Sequence, residues 1–82
     1  NEFLMAQIEL REQISEAEDS GDFDALEEIE KNLAKESNSL AVKIGESFTI
    51  GQYQQITELI KQLAFYNKLE QLVANILSSM YT

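Results

Sequence analysis

The 82 residues carry fifteen acidic side chains against six basic ones, a net charge of −9, and contain no cysteine, histidine or proline. A chain this short makes one small domain, and the missing cysteines exclude a disulfide framework or a thiolate metal site, while 44% hydrophobic content favours a compact helical fold over disorder. No apolar run approaches the roughly 18 residues of a membrane helix, and no basic-then-apolar leader is present.

The chain begins without methionine and inside a helical pattern, which reads as a domain cut from a longer protein. Apolar spacing predicts a first helix from about Glu2 to Asp19, with Asn1 as its N-cap. At about 100° per residue, Phe3, Leu10, Ile14 and Ala17 fall together, flanked by Ala6 and Gln7. That stripe suits a bundle core. Leu4, Met5 and Ile8 point the other way and share the outer face with Glu9, Glu12 and Glu16. Three large apolar side chains on a face that is normally polar have three explanations: contact with another element, cover from a neighbouring domain, or a docking surface. The docking surface is preferred.

Ser20-Gly21 stops this helix, because Gly21 takes the left-handed conformation at a helix end at little cost. Asp22 follows as the N-cap of a second helix, and Asp24, Glu27 and Glu28 suit its positive dipole end. So short a connection makes the first two helices antiparallel neighbours. Phe23, Leu26, Ile29, Leu33, Leu40, Ala41, Ile44 and Phe48 form the apolar stripe of the second helix, with Ser37 in it as a small residue that allows close approach. An interior glycine costs about 1 kcal/mol, so the helix is expected to end between Gly45 and Phe48.

Thr49-Ile50-Gly51-Gln52 has the form of a capping box, from which a third helix runs to about Met80. Its stripe starts as Ile56, Leu59, Ile60 and Leu63 and drifts to Tyr66, Val73, Leu77 and Met80, with Leu69 and Ile76 at the trailing edge. Phe65 and Leu72 fall off the stripe, on the far side of the helix. The expected fold is all-α, an up-down-up three-helix bundle over residues 1–82.

Charge is unevenly spread. Residues 1–30 hold eleven acids against Arg11 alone, and residues 31–82 hold four acids against five bases. Nucleic acid and anionic membrane surfaces are thereby poor partners, and a basic protein partner is favoured; a merely solvated acidic face is the plainer alternative. Without histidine or cysteine the chain lacks the commonest general base and soft nucleophile. The three glycines form no phosphate loop. Glu9, Glu12 and Glu16 make a row rather than a cage, and the di-iron bundle pattern needs histidines the chain does not have. No catalytic residue, cofactor or metal is expected.

Phe3-Leu4-Met5-Ala6-Gln7-Ile8-Glu9-Leu10-Arg11-Glu12 resembles the start of the C-terminal domain of HscB-like proteins, the J-type co-chaperones of bacterial iron–sulfur cluster assembly. Leu63-Ala64-Phe65-Tyr66-Asn67-Lys68-Leu69 is similar to the Leu-x-Phe-x-x-Lys-Leu run of that family's last helix. The resemblance implies a three-helix bundle that holds an IscU-type scaffold protein and brings it to an HscA-type ATPase. The ATPase is engaged only by a J-domain that lies outside these residues. It further implies a cytoplasmic, monomeric protein. Position by position, the implied partner-binding residues are Leu4, Met5, Ile8, Glu9, Glu12, Glu16 and Phe65. Gln13 and Ser15 depart from the family's usual acids, and Ala64 from its usual base. The rival reading is a homodimerising or connector bundle with no scaffold-binding role.

Overall fold

The computed structural model describes residues 2–81. Among these, α1 (Glu2–Ser20), α2 (Phe23–Ile50) and α3 (Tyr53–Met80) follow one another through two-residue turns, with no strand. The predicted Asn1 cap lies outside the described residues.

Both turns use the same device. Gly21 adopts φ 65°; its N–H donates to the Glu18 carbonyl at 3.1 Å, and the Asp22 N–H donates to the Ala17 carbonyl at 2.9 Å. Those paired bonds satisfy carbonyls left open at the helix end. Gly51, at φ 75°, repeats them toward Phe48 and Ser47. Asp22 then caps α2 as predicted, its carboxylate accepting the Ala25 N–H at 3.0 Å.

The second turn corrects the sequence reading. Helix α2 runs past Gly45 to Ile50, so Thr49 is helical and its hydroxyl donates to the Gly45 carbonyl four residues back. Gln52, not Thr49, caps α3, and its side chain makes no capping bond. The signal that ends α2 is Gly51.

Three pairs fix the hairpin formed by α2 and α3. Phe48 meets the ring of Tyr53, the Ser37 hydroxyl donates to the Glu70 carboxylate, and Phe23 meets the ring of Tyr81. Numbers fall on one helix as they rise on the other, so the two are antiparallel. The small residue foreseen at Ser37 allows close approach and also ties the helices together through its hydroxyl.

Helix α1 is shorter, about 28 Å against about 42 Å for its neighbours at the standard rise, and covers one half of the hairpin. There Ile14 and Ala17 join Leu26 and Leu33 of α2 with Phe65, Leu69, Val73, Ile76 and Leu77 of α3 in one core. Phe3, Leu10, Phe23, Ile29 and Tyr66 pack around it half-buried. Gln13, Ala17 and Ser20 share a groove with Asn32, Ile29 and Ala25, which sets α1 antiparallel to α2 and completes the up-down-up order. Beyond the reach of α1, the hairpin end is thinner. Phe48 and Ile60, both assigned to core stripes by spacing, are exposed there beside Val42, Ile50 and Tyr53.

Candidate functional site

The two faces of α1 separate as its spacing predicts. Ile14 and Ala17 are buried, and Phe3 and Leu10 are half-buried. On the opposite face Leu4, Met5 and Ile8 are 54%, 59% and 49% exposed. Glu9, Glu12 and Glu16 are exposed alongside them. The other helices therefore leave this apolar group uncovered, which removes the first of the three explanations for it. On the helical wheel Leu4 and Ile8 form a ridge. Met5 falls among the three glutamates. Among the described residues no group of three or more acids converges to hold a metal ion, and no helix is long and apolar enough to cross a membrane.

Phe65 departs from expectation. It is not an exposed aromatic on the far side of α3 but a core residue, 9% exposed. Its ring meets Phe3 edge-on at 5.5 Å, with an interplanar angle of 87°, and Tyr66 at 5.2 Å. The physical reason is that α3 has two neighbours. One apolar stripe faces α2 through Leu77 and its neighbours, and a second, through Phe65, faces α1. A wheel drawn for a single contact stripe counts the second as surplus. Leu72, set aside with Phe65, does remain exposed at 40%.

The structure also places a residue that spacing did not single out. The Arg11 guanidinium carbon lies 5.8 Å from the centroid of the Phe65 ring, within cation–π range. Arg11 stands at the edge of the Leu4–Ile8 ridge nearest α3. Its one sequence signal is the absence of an acid three or four residues away on its own helix.

Tyr66, beside this cluster, has its hydroxyl pKa raised, first by burial and then by the negative charge of Glu36. Both favour the neutral phenol. The aromatic group of Phe3, Phe65 and Tyr66 thus forms an uncharged footing that positions the first turns of α1.

Fold and surface together define a class: a small all-α bundle that turns an apolar, acid-flanked helix face to solvent. Residues 1–74 match the family described as the HSCB C-terminal oligomerisation domain, and the chain belongs to that family. Similar curated proteins are a "Co-chaperone protein HscB homolog" from Azoarcus sp. (strain BH72) and others of the same description from Neisseria meningitidis. The first is 30% identical over 80 residues, covering 96% of this chain and 45% of the relative. Those from serogroup C (strain 053442) and serogroup B (strain ATCC BAA-335 / MC58) are each 29% identical over 76 residues, covering 93% of this chain and 46% of the relative. The chain thus spans about half the length of the curated relatives it matches. No solved structure matches it significantly.

Proposed function

We propose that this domain is the scaffold-binding module of an HscB-type co-chaperone in iron–sulfur cluster assembly. It holds an IscU-type scaffold protein on the outer face of α1, for delivery to an HscA-type ATPase. The observation that carries the reading is the half-exposure of Leu4, Met5 and Ile8 beside three exposed glutamates. Covering each large side chain contributes up to about 1.5–3 kcal/mol. Lost translational and rotational freedom offsets several kcal/mol of the total. Micromolar affinity follows, which suits a partner that is handed on.

Glu9, Glu12 and Glu16 supply the charge that meets basic residues of the scaffold. The buried position of Phe65 changes its part in the mechanism: it holds α1 against α3 through Phe3, and the docking surface is built on that contact. Contact with the ATPase belongs to a J-domain, whose His-Pro-Asp loop these residues cannot supply, having neither histidine nor proline. The role is binding, not catalysis.

NMR titration of the isotope-labelled domain with purified IscU-type scaffold tests this reading. Amides from Leu4 to Glu16 are expected to shift, and those of the hairpin end around Gly51 to stay. Shifts confined to the hairpin end would remove α1 from the mechanism.

A second reading, self-association, is favoured by the family's description as an oligomerisation domain. An antiparallel two-fold contact through α1 sets glutamate rows of two copies against each other, which disfavours that arrangement. Sedimentation at tens of micromolar separates the readings, since a stable dimer that buries α1 displaces the scaffold-binding role.

A further inference from the structure

We infer that Arg11 sets the orientation in which a partner lies on α1, by pairing with an acidic side chain of that partner. The inference rests on the docking reading above. Arg11 is the single base among six acids on α1. A base on a helix gains most from an acid three or four residues away, but Arg11 has Gln7, Ile8, Ile14 and Ser15 at those positions. Its guanidinium rests on the Phe65 ring instead, 5.8 Å from the centroid. A ring face takes none of the five N–H donors of a guanidinium. Arg11 is exposed, so its donors face a potential partner without an intrahelical claim on them.

Its place on the helix gives the charge a direction. Around the wheel, Arg11 lies about 20° from Leu4 and about 60° from Ile8, on the α3 side of the ridge. Glu12 and Glu16 lie on the other side of Ile8. The apolar ridge is therefore flanked by Arg11 along one edge, with Glu18 two turns further along that same edge, and by Glu12 and Glu16 along the other. A partner with bases opposite the glutamates and an acid opposite Arg11 satisfies both edges, the latter through a fork-shaped pair. Turned end for end across the ridge, the same partner meets like charges on both sides, which rejects that orientation.

The sign of one substitution decides the matter. A uniformly basic partner is repelled by Arg11, so Arg11→Gln would then tighten binding. The inference expects the opposite. In calorimetric titrations with purified IscU-type scaffold, Arg11→Gln should bind roughly three- to fivefold more weakly than the unaltered domain, the scale of a solvent-exposed ion pair. Arg11→Glu should bind more weakly still, and Arg11→Lys should recover most of the loss because it restores the charge. Thermal melts of all three should stay close to the unaltered domain.

Unchanged or tighter binding by Arg11→Gln overturns the role of Arg11 and leaves the docking reading standing. A loss that tracks a lowered melt, and that lysine does not restore, makes Arg11 a prop for Phe65 and overturns the inference too. Absence of binding by the unaltered domain overturns both.

Discussion

Gly45 lies inside α2, and a Cβ built on it meets nothing within 4 Å. Its backbone is helical, so alanine fits without strain while narrowing the unfolded ensemble. Gly45→Ala should therefore stabilise the domain by about 0.5–1 kcal/mol, read as a higher urea midpoint at an unchanged slope. Gly51 is the contrast. Its φ of 75° is one that side chains with a Cβ resist, and alanine there should lower stability by about 1 kcal/mol. Gly45, Thr49 and Gln52 mark where local rules misled. Glycine cost and capping-box spacing each pointed to an early helix end, but the stripe through Leu40 and Ser47 gains more from continuing than one glycine loses. Gly51 followed the same pattern as Gly21, so this helix end was legible from the sequence by the rule that located the first.

At the scale of elements, the three helices, their order and the two faces of α1 were legible because each rests on apolar periodicity, the strongest local signal. The division of α3 between two neighbours was not. Periodicity records which residues are apolar along a helix, but whether a second stripe is buried depends on where α1 packs. Phe65 is the consequence, and its substitution separates the possibilities. As a core ring held by Phe3 and Tyr66, Phe65→Ala should cost about 3 kcal/mol or more, which a chemical denaturation curve measures. A loss under about 0.5 kcal/mol would return Phe65 to the surface.

Tyr66 offers a second check on the same cluster. Its folded-state pKa is raised above the ordinary tyrosine value of about 10. Below that value both folded and unfolded chains carry the neutral phenol, and the group adds no pH dependence. Above it the unfolded chain ionises first and binds fewer protons, so stability falls as pH rises through the folded-state pKa. Tyr66→Phe should flatten part of the decline in melting temperature above about pH 10. An identical decline in the variant would place Tyr66 in a water-like setting.

The whole molecule is asymmetric in coverage and in charge. Helix α1 shields one half of the hairpin and carries six acids against one base, the cap and first turns of α2 add five more acids, and residues 31–82 are nearly neutral. That asymmetry gives the proposed docking face a salt dependence. Affinity for an IscU-type scaffold should fall as ionic strength rises from roughly 50 to 500 mM, because exposed charges are screened within a Debye length. The apolar ridge remains, so binding should weaken without vanishing. Affinity that is flat with salt would remove Glu9, Glu12 and Glu16 from the mechanism.

The central claim is that Leu4, Met5 and Ile8 serve a partner rather than the fold, and calorimetric titration of the triple alanine variant with a purified IscU-type scaffold tests it most directly. Truncations at exposed positions seldom change stability by more than about 0.5 kcal/mol each, and alanine is the best helix former, so the variant should stay folded by circular dichroism. Its affinity should fall tenfold or more, because apolar anchors near the centre of an interface carry most of the binding energy. A folded triple variant that binds the scaffold as tightly as the unaltered domain would contradict the account.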